Sequence, residues 1–455
     1  MLLFRILIIV TSLLSFFTND ISGENMVLLF IGTFFCVLFT KKYPFNDNYA
    51  KYIVLIVLWI STIFMPVFHL VDPIILSYPE IDDYWNSKIL NFGIPIFTFS
   101  SITLFFLGVL LKRRKIYNII YLPRIVTSFQ VKVLLFFCIG LSLFCYAIGL
   151  GRMGSEAVVL PFHLGGIINL FRSFMMPFLF AIIMEGYIIR KIKIPRFFWY
   201  YYIIWAIIEI FAWLSKSILV SHMLPVLVLF YMYYKPSLLR ILKILVPLVV
   251  FFLFLYPIVE LMRNVDKDVS FKDSFKTASV EADRNDEKKS FLTPLNRAFM
   301  FGQQYVQDYE YINEEDVFDF RKVPFIIAYG GSAGYQTYII DNYPIGAHHS
   351  SGTCGIMDPL LFGGIGFMYI VIFIIVLIAS LSDNLINRKC YSILIIIIMQ
   401  LLMFTRNANV STLISSTGMQ TYLLTFISLY IAYRFNFKKK VNGFLSKREI
   451  PNNNI

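Results

Sequence analysis

FMYIVIFIIVLIASL, Phe367–Leu381, carries no charged side chain. The segment just before it, MDPLLFGGIG (Met357–Gly366), has one charge, at its start. Together they make an apolar stretch of about 25 residues, enough to cross a hydrocarbon layer roughly 30 Å thick as a helix. Such windows recur along the chain, and the composition agrees. Of its 455 residues, 58% are hydrophobic and 15% charged, and the mean hydropathy is +0.71. A soluble domain carries more charge and less apolar surface. The expected fold is an all-α polytopic membrane protein of about twelve spans. Their limits fall near 2–18, 26–40, 52–71, 91–111, 133–150, 165–189, 197–214, 217–234, 244–262, 354–381, 390–405 and 414–434. MLLFRILIIVTSLLSFF (Met1–Phe17) lacks a following small-residue cleavage site and reads as an uncleaved first span.

The connecting segments alternate in charge. KKYPFNDNYAK, KRRK, RKIKIPR, KPSLLRILK, NRK and the tail RFNFKKK are rich in lysine and arginine. TNDISGEN, DPIILSYPEIDDYWNSK, GRMGSE, SKS and RNANVST are not. Cations mark the cytoplasmic side, so both termini are expected inside. The formal charge of +12 follows from this distribution and does not point to nucleic acid. Four cysteines, Cys36, Cys138, Cys145 and Cys390, fall in or beside apolar spans, and only Cys354 lies outside. No extracytoplasmic disulfide pair is available and no CxxC motif exists.

The chain therefore divides into spans one to nine over 1–262, a large outer loop over 263–353, spans ten to twelve over 354–434 and a basic cytoplasmic tail over 435–455. The loop starts as a charged, weakly apolar linker. Thr293 and Pro294 then suit an N-cap and a first helical position. Leu295, Phe299, Val306 and Tyr309 follow a helical stripe, giving an amphipathic helix near 294–312. No internal repeat is visible, which argues against a transporter built from two related halves.

Some charges lie where topology does not explain them. Arg172, in LGGIINLFRSFMMPFLF, falls about two turns inside span six, and Glu209, in WAIIEIFAWLSKS, lies inside span seven with Lys216 at its outer end. One reading is an ion pair tying two helices. The other, favoured because intramembrane charges usually mark a pathway or site, is a polar cavity open to the outside. Arg152, Arg263, Arg297 and Arg406 line the same outer edge. Snorkelling to headgroups accounts best for Arg263. A cluster of guanidiniums at an outer edge otherwise points to an anionic ligand, because the fork matches phosphate oxygens.

IGAHHSSGTCGIMDPLLFGGIG, Ile345–Gly366, brings His348 and His349 to the mouth of span ten. A histidine titrates near neutrality and can act as a general base, with His349 ahead of His348. A solvated or zinc-binding pair is the alternative, but zinc needs three or four ligands and adjacent histidines usually point apart. His69, His163 and His222 lie in or beside spans and read as structural, with His163 in reserve as a base. Asp82 and Asp83 form a lone acidic pair that reads as a solvated loop.

Three features resemble the Wzy-type oligosaccharide repeat-unit polymerases of bacterial surface polysaccharides, including O-antigen polymerases. They are the dozen spans with one large outer loop, PFHLGGIINLFRSFMMP followed by SKSILVSHMLP, and HHSSGTCGIMDPLLFGGIG. The last is similar to the histidine, spaced glycines and apolar helix of those polymerases and of O-antigen ligases. There the histidine is usually followed by Asn, whereas here Ser350 follows His349. The resemblance implies a metal-independent, inverting glycosyltransferase of the bacterial inner membrane that uses no cofactor. Donor and acceptor would be glycans on undecaprenyl pyrophosphate, and a chain-length regulator protein would be a partner. Arginines would hold the leaving pyrophosphate and a histidine would deprotonate the acceptor hydroxyl. Two rivals remain at this point: an O-antigen ligase with the same chemistry, and a lipid-linked oligosaccharide flippase or other transporter.

Overall fold

In α1 (Leu2–Phe16), Thr11, Ser12 and Ser15 are buried, while Leu3, Val10 and Leu13 are exposed. In α5 (Ser128–Ile148), Ser142 is buried while Phe129 is 74% exposed and Phe136 54%. A water-soluble bundle would do the reverse. Helices this apolar on their outer face and more polar inside suit a hydrocarbon solvent, in which packing and interhelical hydrogen bonds hold helices together. Among the described residues four helices, Gly23–Lys42, Leu90–Leu110, Ser128–Ile148 and Leu164–Ile189, are long and apolar enough to cross a membrane.

The computed structural model describes residues 2–16, 21–64, 66–67, 83–111, 120–123, 126–151, 160–161, 164–214, 217–235, 357–383, 391–406 and 433–436, with isolated positions besides. After α1 come α2 (Gly23–Lys42), α3 (Tyr49–Phe64), α4 (Asp83–Leu110) and strand β1 (Ile120–Pro123). Then follow α5, α6 (Leu164–Ile189), α7 (Arg196–Trp213), α8 (Ser217–Tyr234), α9 (Met357–Ser382), α10 (Tyr391–Arg406) and β2 (Tyr433–Asn436). Local signals set several boundaries. Ser22 caps α2 through the Asn25 N–H. Thr127 and Gln130 close a reciprocal capping box on α5, which ends on Gly149 in the left-handed region. α4 starts at Asp83, so the expected solvated acidic loop is in part the first turn of a helix; an acidic residue suits that end of the dipole.

α2 and α4 cross closely. A Cβ on Gly32 would lie 2.9 Å from Thr98 Cα, and one on Gly93 would lie 2.3 Å from the Thr62 carbonyl oxygen in α3. Small residues let the backbones approach, as in other lipid-embedded crossings. α5 packs on α7, and α6 and α7 on α8. α10 touches α3, α6, α8 and α9 and so joins the two groups.

Contacts sort the helix ends. Arg5 reaches Thr40, Tyr52 donates to the Tyr43 carbonyl, and Lys42 sits 5.1 Å from the Phe105 ring. Asp383 accepts from the Ala50 N–H, Glu185 from the Tyr391 N–H, and Tyr187 donates to the Val126 carbonyl. These contacts gather the starts of α1, α3, α5 and α10 with the ends of α2, α4, α6 and α9. Arg5, Lys41, Lys42, Lys51, Lys132, Arg190, Lys191, Lys193 and Arg196 all lie at this basic end. β1 pairs antiparallel with β2, Tyr121 opposite Phe435, and the Pro123 carbonyl accepts from Arg190, so β2 also lies there. Spans 244–262 and 414–434 fall largely outside the described residues, and the loop 263–353 with its expected helix near 294–312 falls wholly outside them.

Candidate functional site

Two helices widen just ahead of a proline in the sequence, Pro66 beyond the end of α3 and Pro177 within α6. A proline ring clashes with the carbonyl four residues back, which for Pro66 is Thr62 and for Pro177 is Ser173. Each helix widens there into a π turn, Ile60–Phe64 in α3 and Phe171–Met175 in α6, ending two residues before the proline. In α6 the Met176 N–H reaches the Phe171 carbonyl. Such turns often mark functional positions in helices.

This turn carries Arg172. Its Nε donates to Glu209 Oε1 at 3.0 Å and its Nη2 to Oε2 at 2.8 Å. Nη1 lies 3.4 Å from the Leu150 carbonyl, and the guanidinium stacks 5.3 Å from the Trp213 ring. Ser142 also donates to Glu209, and Trp205 Nε1 donates to Ser142 Oγ at 3.0 Å. Arg172 is 1% exposed and Glu209 0%. The expected cavity open to the outside at these two residues is therefore replaced by a closed, bidentate ion pair. The physical reason is the fork itself: a carboxylate within reach satisfies a guanidinium that lipid cannot solvate.

The pair ties three helix ends together at the end of the bundle opposite the basic one. α5 finishes at Gly149, and Leu150 and Gly151 follow. A Cβ on Gly151 would sit 2.8 Å from Asn169 Oδ1, so the turn lies flat against α6. α7 finishes at Trp213, with Leu214 in the left-handed region. α6 supplies Arg172. Asn169 Oδ1, Trp213 Nε1 and His222 Nε2 are buried around this centre without a hydrogen-bond partner among the described residues. His222 is fully buried, its Nδ1 is 2.9 Å from the Ile218 carbonyl, and its ring centroid is 4.6 Å from that of Trp205, consistent with a structural role.

Of the candidate residues, the structure brings Arg172 and Glu209 together. It places Arg406 at the C-terminus of α10, whose N-terminus lies at the basic end, so Arg406 stands at the opposite end. Arg152, Lys216, Arg263, Arg297, His348 and His349 lie outside the described residues, as do His69 and His163. Arg152 immediately follows Gly151, and Lys216 falls between Leu214 and the start of α8 at Ser217. Sequence reasoning missed Ser142, Trp205 and Trp213. One signal was present: Trp205 lies four residues before Glu209 and so shares its helix face. Among the described residues, no group of His, Cys, Asp and Glu could hold a metal ion. No protein-family model matches the chain, and neither does any curated protein or solved structure.

Proposed function

We propose that the chain is a Wzy-type polymerase. It would join lipid-pyrophosphate-linked oligosaccharide repeat units at the outer face of a bacterial inner membrane. The proposed topology has about twelve spans, both termini and the basic end in the cytoplasm, and the segment 263–353 outside. The observation that carries the reading is the placement of cations at the end where the charge bias disfavours them. Arg406 closes α10 there, and the helix ends pinned by the Arg172–Glu209 pair lead directly to Arg152 and Lys216. Cations held at an outer surface suit an anion, and guanidiniums suit a pyrophosphate. In this reading Arg172 and Glu209 are positioning residues, while Arg152, Arg297, Arg406 and Lys216 receive the phosphate oxygens, with Arg263 at the membrane interface.

The reaction balances without a further reactant. The acceptor sugar hydroxyl attacks the anomeric carbon of the donor glycan from the face opposite the leaving group. The bond from that carbon to the pyrophosphate oxygen breaks, and undecaprenyl pyrophosphate leaves with the electron pair. His349, or His348 beside it, takes the hydroxyl proton. General base catalysis contributes a factor of roughly 100 to 10,000.

The test is a His349→Ala strain with normal protein level in the membrane. The expected product is lipid A–core bearing a single repeat unit. Long polymer in that strain would remove His349 as the base. Polymer that accumulates on the lipid carrier without reaching the core would point to a ligase instead, and single units trapped facing the cytoplasm to a flippase.

A further inference from the structure

We infer that the basic end holds an anionic phospholipid headgroup between the C-termini of α6 and α8, gripped by Lys191 and Lys235. Both residues stand just past a helix end in the left-handed region, with φ of 57° and 42°. The Lys191 N–H reaches the Ile188 carbonyl, the Ile192 N–H reaches that of Tyr187, and the Lys235 N–H reaches that of Tyr231. These are the helix-stop positions at which glycine is the usual residue, because it enters this region without a steric penalty. Of the three described non-glycine residues with positive φ, the two at the basic end are both lysines. A general inward bias of cations requires lysines somewhere in the connections. It does not require them at the two backbone positions where a side chain is least welcome.

The two helix ends are held side by side, since Tyr233 donates to Glu185 Oε1 at 2.7 Å. Both lysines are exposed, and Lys193 and Arg196, also exposed, add charge in the turn that follows α6. Among the described residues no carboxylate pairs with any of the four. Glu185 is buried and directed at the start of α10. The cations alternate with exposed side chains of apolar body: Ile192 between Lys191 and Lys193 is 49% exposed, and Tyr234, just before Lys235, is 53% exposed. A site for a soluble anion has no use for that alternation. A phospholipid does, because its phosphate lies directly above its acyl chains and tyrosine favours that boundary.

The test compares the purified wild-type protein with Lys191→Gly/Lys235→Gly, in phosphatidylglycerol and in phosphatidylcholine. The readouts are bound lipid by native mass spectrometry and the thermal midpoint in each lipid. Each cation near an anionic membrane surface contributes about fivefold in binding, so phosphatidylglycerol retention should fall roughly 25-fold. Phosphatidylcholine retention should not change. The midpoint in phosphatidylcholine should hold or rise, because glycine suits the left-handed turn, and the extra stability conferred by phosphatidylglycerol should vanish. If the lysines served only the helix dipoles, the variant would lose equally in both lipids, and that result overturns the proposal. Phosphatidylglycerol retention within twofold of wild type also overturns it. So does millimolar inorganic phosphate that stabilises the wild type as well as phosphatidylglycerol does, since the occupant would then be a soluble anion. Lys191→Gln/Lys235→Gln keeps a side chain at both positions. It should show the same lipid-selective loss, which separates lost charge from altered backbone.

Discussion

Glu209→Gln should open the buried centre of the α5–α8 group. The side chain keeps its shape, but the Arg172 guanidinium, 1% exposed, loses its counter-charge and one of two acceptor oxygens. Removing one partner of a buried ion pair costs about 3–5 kcal/mol, because the other charge remains without compensation. Cys145 reports the loss. It is fully buried on α5, in the turn after Ser142, close to both charges. In a variant that keeps Cys145 and lacks the other four cysteines, alkylation requires local opening. The rate should therefore rise roughly 150- to 5,000-fold in Glu209→Gln. The control is Arg172→Met with Glu209→Leu, which removes both charges. Ser142 then keeps the Cys138 carbonyl as acceptor at 2.7 Å, so no hydroxyl is stranded. Apolar replacement of a buried pair is often neutral or better, and the double variant should return to near the wild-type rate. Under the proposed function, polymer formation should not return, since Arg172 no longer reaches the Leu150 carbonyl in the turn before Arg152. A single variant within threefold of wild type, or a double variant as reactive as the single one, would refute the reasoning.

Asp383 has its carboxyl pushed up to about 6 by burial, against the pull of Lys51 and of the Ala50 and Lys51 N–H groups. Its folded value lies above its unfolded one, so the stability it contributes is complete below about pH 4 and is lost as pH rises through about 6, some 3 kcal/mol in all. Asp383→Asn should flatten that part of the stability–pH curve, and an unchanged slope by thermal unfolding would contradict the assignment. Gly93→Ala should lower stability by about 1–3 kcal/mol, measured in detergent, because the new methyl meets the Thr62 carbonyl at 2.3 Å. Paired cysteines at Tyr121 and Phe435 should cross-link on mild oxidation, since these residues face each other across the β1–β2 ladder; absence of a cross-link would detach β2 from the basic end.

Apolar windows and loop charge made the described helices legible, because a hydrocarbon solvent demands long uncharged segments whatever the tertiary arrangement. Arg172 and Glu209 were legible as residues out of place. Their pairing was less so, since it depends on a π turn that opens before Pro177 and turns the guanidinium toward α7. The motif FMMP shows the proline, but it does not show how far the turn rotates. Ser142 was hidden for a different reason. A hydroxyl in a membrane helix satisfies itself on the carbonyl one turn back, as Ser142 does with Cys138, so nothing in the sequence separates it from Ser12 or Ser100, which do the same. The strand pairing of Ile120–Pro123 with Tyr433–Asn436 was not legible because its partners are distant in sequence and short.

Charge does opposite work at the two ends of the bundle. At the basic end, two buried carboxylates each reach the first N–H groups of a neighbouring helix. Asp383 accepts from Ala50 and Lys51 at 2.8 and 3.3 Å, and Glu185 from Tyr391 and Ser392 at 2.9 and 3.3 Å. Asn48, the residue before α3, makes no capping bond with its own side chain, so the cap comes from another helix. In lipid an uncapped N-terminus has no water to turn to, and apolar contacts favour no one helix pairing over another. A carboxylate supplied by a neighbour satisfies the donors and at the same time fixes α9 against α3 and α6 against α10. At the opposite end the buried charges satisfy each other, and the helix ends they tie together are the ones that Arg152 and Lys216 adjoin in sequence. Buried charge thus fixes helix pairings at both ends, by capping a neighbouring helix at one and by pairing across helices at the other.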